Sequence, residues 1–271
     1  MTPIISVDGN LVEQVSALDR GLAYGDGLFE TILVRDGQPV FLDAHFGRLS
    51  SSALRLNIPL HIDIDHSCQH FLAQVQAQSD ISSGVLKLIL TRGCGGRGYA
   101  PPEQPQPTLI WQWHQAPALP SSNNLEGIAL YACECRLPSR TQFPGLKSLN
   151  RLDNVMARAE FAGSRYAEGL MLDFDGHVIE GTMTNLFWVR AGRLYTPSLA
   201  DVGVHGIMRA QIMQRFETIS VKAKLDSILA ADELFLCNSV NGIWPVIEFQ
   251  QARWPIGSLT RRIQSEFSQF L

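Results

Sequence analysis

The first third of the chain alternates short apolar runs with tight turn dipeptides, the period-2 signature of strands. In IISVDGNLV (4–12) Asp8-Gly9 separates two such runs, and in GLFETILVRDGQPVFL (27–42) Asp36-Gly37 does the same, so each segment predicts a β-hairpin. The period then changes. In DAHFGRLSSSALRLNI (43–58) Phe46, Leu49, Ala53 and Leu56 recur at helical spacing, with Asp43 as the predicted N-cap. A second helix is expected over 65–78, and GVLKLILTR (84–92) and PTLIWQW (107–113) read as strands. HQAPALPSSNN (114–124) has no period and is rich in Pro and Ser, which marks a linker.

The second half opens on a strand, GIALYAC. A helix follows from about 149, with Leu149, Leu152, Val155, Met156 and Ala159 on one face. GLMLDFDGHVIEGTMTNLFWV (169–189) predicts a hairpin turning at Asp175-Gly176, HGIMRAQIMQRF a helix that starts after a glycine, and ADELFLCNSVNGIWPVIEF two strands around a loop. The expected fold is α+β, or mixed α/β. It has two domains, residues 1–118 and 119–271, each a largely antiparallel sheet flanked by helices. The domains are expected to meet near residue 119, and such seams often hold sites.

Composition narrows the function classes. The chain has 271 residues, 45% hydrophobic and 18% charged, with a formal net charge of −4 and no cluster of basic residues. The electrostatic footprint of a nucleic-acid binder is missing. No apolar stretch approaches the roughly 18 residues of a membrane span, and the first twenty residues carry no secretory pattern. Five scattered cysteines (68, 94, 133, 135 and 237) lack zinc-site spacing and predict free thiols in a reducing cytoplasm, with no metal centre.

Arginine is the default cation: of 22 basic residues only Lys87, Lys147, Lys222 and Lys224 are lysines. An amine can lose its proton and form a covalent imine, which a guanidinium cannot. Lys222 and Lys224 alternate in SVKAKL and read as one wet strand face, and Lys87 as a cation that reaches from an apolar strand to a sheet edge. Lys147 follows Pro144-Gly145 and is expected just before or within the first helical turn, where a cation opposes the helix dipole and is biased towards its nucleophilic form.

A lysine of this kind gains reach from pyridoxal phosphate. That cofactor needs a carboxylate for its pyridine nitrogen and an anion cup for its phosphate. Glu180, alone among apolar and small residues, is a candidate for the first. The backbone of Ile207 and Met208, opening a helix after Gly206, can form the cup, as can the turn at Asn238 and Ser239, with Arg48 as a charged clamp. Each of these residues also has an ordinary structural reading. GCGGRG (93–98) matches a dinucleotide fingerprint literally, but YAPPEQPQP after it cannot start the helix that fingerprint requires. Its glycines permit close backbone approach to a ligand and Arg97 offers a fork for a carboxylate, although a solvated loop fits the residues equally well.

The order of these pieces resembles the fold-type IV pyridoxal-phosphate enzymes, which include D-amino-acid and branched-chain aminotransferases and 4-amino-4-deoxychorismate lyase. The resemblance runs from about residue 4 to 260 through DRGLAYGDGLFET, HFGRL, LTRGCGGRGY, GLKSLNRLDNVMA, VIEGTMTNLFW, GVHGIMR and CNSVNGIWPV. It implies that Lys147 bonds the cofactor, that Glu180 holds the pyridine nitrogen, and that Arg48, Ile207, Met208, Asn238 and Ser239 bind the phosphate. It places Phe29 against a small-molecule substrate and implies a homodimer. Many aminotransferase relatives carry Thr where this chain has Met208, so a hydroxyl is lost from the cup. TRGCGGRGY and LKSLNRLDNV look like the lyase form of the substrate segments, with Arg97 and Tyr99 towards a substrate carboxylate. The alternatives are an aminotransferase using the same lysine, and a non-catalytic metabolite binder on the same fold.

Overall fold

The computed structural model describes residues 3–79, 81–115, 122–139 and 142–270. The expected junction near 119 and most of the expected linker lie outside these residues. The chain forms two compact units: residues 1–118 with Lys147–Asn150, and residues 119–146 with 151–271. The tetrapeptide Lys147–Asn150, which the sequence reading assigns to the second domain, groups with the first unit because its backbone pairs with a strand there.

The first unit contains β1 (Ile4–Val7), α1 (Arg20–Tyr24), β2 (Gly27–Arg35), β3 (Gln38–Pro39), α2 (Leu42–Arg55), α3 (Ile64–Gln76), β4 (Ser83–Thr91) and β5 (Leu109–Gln115). Its sheet is antiparallel throughout, in the order β1-β5-β4-β2-β3. Asp36 and Gly37 both take positive φ, as a type I′ turn requires, and join β2 to β3 in the predicted hairpin. The hairpin expected at Asp8-Gly9 is reduced to one bridge, Val7 to Asn10, because β1 pairs along its length with β5 instead. α2 is capped by Phe41 rather than Asp43, which lies in its first turn.

Period 2 divides this sheet sharply. Leu28, Ile32, Leu86, Leu88, Leu90, Trp111 and Trp113 pack with Phe46, Leu49 and Ala53 of α2 and Phe71 and Val75 of α3. The Phe71 ring stacks on Trp111 at 6.1 Å, and the indole N–H donates to Ser67 Oγ at 2.9 Å. Phe29 belongs to the opposite set of β2 positions. Lys87, in register with Thr31 and Gln112, lies on an interior strand and so does not reach an edge.

The second unit contains α4 (Ser122–Leu125), β6 (Ile128–Leu137), α5 (Leu152–Ala159), β7 (Glu168–Asp173), β8 (Val178–Gly181), β9 (Asn185–Arg190), β10 (Arg193–Pro197), α6 (Ile207–Arg215), β11 (Thr218–Val221), α7 (Leu225–Leu229), β12 (Glu233–Asn238), β13 (Gly242–Phe249), β14 (Ala252–Arg253) and α8 (Ser258–Phe267). Its sheet runs β11-β10-β9-β12-β13-β6-β7-β8 with β14 on β13, and a bridge between Glu180 and Asn185 returns β8 to β9. Most pairs are antiparallel. Three pairs are parallel: β6 with β7, β10 with β11 and β6 with β13. α5 lies in the crossover between β6 and β7 and α6 in that between β10 and β11.

The apolar face of α5 is its outer one: Leu152, Val155 and Met156 are exposed, whereas Ala157 and the following Phe161 are buried. One expectation fails here. Lys222 and Lys224 lie beyond β11, where Lys222 pairs with Asp201 at 2.7 Å. All five cysteines are free, and among the described residues no helix is long and apolar enough to cross a membrane.

Gly27 is where the first unit receives the tetrapeptide. A Cβ there would lie 2.4 Å from the Leu90 carbonyl oxygen and 2.9 Å from the Leu149 side chain. Gly27→Ala is expected to destabilise the fold by about 1–3 kcal/mol, read as a lower denaturation midpoint, and to loosen the tetrapeptide, read as faster amide exchange at Phe29 and Leu149.

Candidate active site

Lys147 is positioned by backbone. The Phe29 N–H donates to the Lys147 carbonyl and the Leu149 N–H to the Gly27 carbonyl, both at 3.0 Å, and Ser148 bridges to Leu28. Asn150 adds its amide to the Gly25 carbonyl at 3.0 Å. α5 begins at Leu152, so Lys147 is extended chain and the expected opposition to a helix dipole does not arise. Its half-buried side chain sets Nζ 4.1 Å from the centre of the Phe29 ring. Phe29 and Lys147, both singled out in the sequence, are therefore neighbours. Lys87 places its own Nζ 5.9 Å from that ring centre.

On the helix-covered face of the same sheet, Arg48 pairs with an acid that the sequence reading missed. Arg48 donates from Nε to Glu30 Oε1 at 2.8 Å and from Nη2 to Oε2, and His45 Nδ1 meets Glu30 Oε2 at 2.6 Å. Glu30 and His45 are 1% and 0% exposed. Burial pushes the Glu30 carboxyl up, but the bonds from His45 and Arg48 outweigh it and the group titrates below its ordinary range. Burial pushes the His45 imidazole below its ordinary value, and the Glu30 carboxylate offsets only part of this. His45 is thus held neutral, with Nδ1–H the tautomer that the carboxylate selects. The signal in the sequence was the i, i+3 spacing of His45 and Arg48 on one helix face.

The loop after β4 is also held from within its unit. Arg20 donates to the carbonyls of Gly98, Tyr99 and Ala100, and its Nε to Asp26, which Arg92 also engages. The loop backbone is thereby fixed while the side chains of Arg97 and Tyr99 stay exposed, with the Tyr99 ring 5.5 Å from Tyr24.

In the second unit Glu180 is 3% exposed at the end of β8. Its Oε2 accepts from the Val204 N–H at 2.9 Å and from Asn185 Nδ2 at 3.3 Å. α6 begins immediately after Gly206, which gives no side-chain cap. The amides of Ile207 and Met208 fall in the first turn, where a helix offers them no acceptor of its own. A Cβ on Gly206 would lie 1.9 Å from Asn185 Oδ1, so glycine is required for this approach. Asn238 builds the turn at the end of β12: its Oδ1 accepts from the Val240 and Asn241 amides at 2.9 and 2.6 Å, and Nδ2 donates to the Met183 carbonyl at 3.3 Å. Ser239 is the next residue of that turn.

A second acid missed by sequence reading fixes the loop after Glu180. Glu168 has no exposed surface and accepts from the amides of Gly169, Thr182 and Met183 and the hydroxyls of Thr182 and Thr184. Asn154 of α5 donates to the Thr182 carbonyl at 3.0 Å. The clue was one acid opening the apolar strand EGLMLD beside a donor-rich GTMTN.

Each unit by itself holds groups of the kind pyridoxal phosphate needs. The first has a half-buried amine on an aromatic ring and an arginine fork. The second has a buried carboxylate held by N–H groups and a helix start where only glycine fits beside Asn185.

The amino-transferase class IV family matches residues 27–249. The aminodeoxychorismate lyase of Vibrio harveyi is 36% identical over 259 residues, covering 92% of this chain and 94% of the relative. The crystal structure of 4-amino-4-deoxychorismate lyase from Pseudomonas aeruginosa superposes with a TM-score of 0.92 at 43% identity, over 98% of this chain and 99% of that one. The Escherichia coli branched-chain amino acid aminotransferase gives 0.84 at 25% identity, over 98% and 94%.

The His45 and Glu30 shifts act on stability in the same direction. Stability is complete above the ordinary imidazole value and falls as pH drops below about 6.5, because the unfolded chain takes up a proton that folded His45 refuses. It falls again in the carboxylate range, where unfolded Glu30 protonates first. His45→Gln is expected to flatten the first part of this slope, measured as denaturation midpoints between about pH 5 and 7. His114, lowered by burial and by the charge of Lys87, leaves a remainder.

Proposed function

The chain belongs to the class IV amino-transferase family, and we propose that within it the protein is the lyase that divides 4-amino-4-deoxychorismate into 4-aminobenzoate and pyruvate with pyridoxal phosphate. The observation that carries the lyase over the aminotransferase is the identity contrast. It is 43% to a lyase structure across essentially the whole chain, against 25% to an aminotransferase of the same fold.

Pyridoxal phosphate, when bound, supplies an electron sink that makes the hydrogen on the substrate's amine-bearing carbon acidic. Lys147 is the base that removes this proton through Nζ, which stands beside Phe29, the side chain assigned to face the substrate. Loss of that proton is matched by breakage of the C–O bond to the enolpyruvyl group. The ring becomes aromatic, and the departing enolpyruvate gains a proton to become pyruvate. Glu180, buried and acceptor-rich, holds the proton of the pyridine nitrogen. For the phosphate we assign Arg48, the amides of Ile207 and Met208, and the Asn238–Ser239 turn, in which Asn238 shapes the backbone and Ser239 offers its hydroxyl. Arg97 and Tyr99, exposed on a loop that Arg20 clamps, are assigned to a substrate carboxylate.

We assign the active form to a homodimer in the cytoplasm. The exposed Leu152, Val155 and Met156 of α5, with Leu22 of α1 and Leu18 just before it, are apolar surface suited to a second copy. Light scattering should report twice the 30.0 kDa chain mass. A monomer at micromolar concentration would contradict this assignment.

The function is tested by incubating the holoenzyme with 4-amino-4-deoxychorismate and quantifying both products. Equal amounts of 4-aminobenzoate and pyruvate are expected, whereas amino transfer to 2-oxoglutarate without 4-aminobenzoate identifies the aminotransferase. Lys147→Ala should lower turnover by at least about 10²–10⁴-fold and abolish the visible absorbance of lysine-bound cofactor. A variant with normal turnover would end the scheme.

A further inference from the structure

The buried acid on β2 is the feature that the proposed chemistry leaves unused. Glu30 takes two N–H groups from Arg48 and the Nδ1 of His45, and both Glu30 and His45 are withdrawn from water. The far nitrogen of the imidazole, Nε2, has no partner among the described residues. An arrangement needed only to neutralise Glu30 would be complete with the arginine fork, so the fully buried imidazole calls for a further reason.

We propose that Glu30 and His45 are positioning residues for the cofactor phosphate: they lock the guanidinium of Arg48 in one plane so that it meets the phosphate already aimed. The inference rests on the assignment of Arg48 to the phosphate.

The physical argument has three steps. A free arginine side chain samples many rotamers, and a ligand must overcome that entropy to order it. Two N–H bonds to one carboxylate remove most of that freedom in advance. The carboxylate must itself be immobile, and the Nδ1 contact from His45 on α2, one turn before Arg48, supplies that restraint.

Charge provides the discriminating prediction. Glu30 is anionic and His45 neutral, so the trio carries no net charge and Glu30 diminishes the long-range pull of Arg48 on a dianion. If attraction alone governed phosphate binding, Glu30→Gln would tighten it. If aiming governs it, the same change weakens it.

Apo-protein is titrated with pyridoxal phosphate and, separately, with pyridoxal, which lacks the phosphate, following the absorbance of lysine-bound cofactor. Arg48→Ala is expected to weaken pyridoxal phosphate and leave pyridoxal within about twofold. Glu30→Gln should do the same by about tenfold or more, the size that outer hydrogen-bonding partners have at ligand residues of metal sites. His45→Gln should follow with a smaller loss and carries the same comparison if Glu30→Gln does not fold. Unchanged pyridoxal affinity in each variant separates aiming from general damage. Equal or tighter binding of pyridoxal phosphate by Glu30→Gln and His45→Gln, with Arg48→Ala weakened, overturns the aiming role alone. Unchanged binding by Arg48→Ala overturns the phosphate assignment and this inference with it.

Discussion

Two backbone hydrogen bonds between β2 and the Lys147–Leu149 segment are the constraint on which the candidate chemistry depends. Lysine is the least constrained of reagents, a point charge on a four-carbon stem. Such a group serves as a base only if its root is fixed. Here the root is fixed by main chain, which no rotamer change can release. The acceptance of the segment depends on a glycine at 27, and the tetrapeptide departs from the second unit for four residues only. The Phe29 ring then gives the amine a surface to rest against, contributed by the strand that also supplies the N–H bond to its carbonyl.

Three withdrawn carboxylates, one in the first unit and two in the second, are each satisfied differently. Glu30 meets an arginine and a histidine, Glu168 meets amides and hydroxyls, and Glu180 accepts from a backbone N–H and an asparagine. A buried anion without donors is among the most destabilising features a fold can carry. Each acid therefore dictates the geometry of whatever surrounds it. Glu30 governs an arginine, Glu168 governs the loop that follows Glu180, and Glu180 shares Asn185 with the approach to α6. Within each unit, positional accuracy thus comes from groups that the fold cannot leave unsatisfied.

How much of this was legible in the chain follows from the range of the interactions. The β2–β3 hairpin, the long helix at 42–55 and the start of α6 are set by local chemistry, and period and turn dipeptides reveal them. The apolar face of α5 was legible but its exposure was not, because apolar spacing says that a helix has a greasy side, not what covers it. Lys87 was sent to an edge because strand order is a long-range property. The candidate residues Lys147, Glu180 and Arg48 emerged from residue chemistry and a family resemblance, whereas Glu30, His45 and Glu168 did not. Their importance lies in partners up to eighteen positions away, and a single acid in a strand looks the same whether it is wet or buried.

The central claim is that Lys147, rather than any other amine, bonds the cofactor. Borohydride reduction of the holoenzyme followed by peptide mapping tests it directly, because reduction fixes the cofactor to whichever lysine held it. The account predicts a single modified peptide containing residue 147. Modification of Lys87, which lies beside the same phenyl ring, or no modification at all, would contradict it.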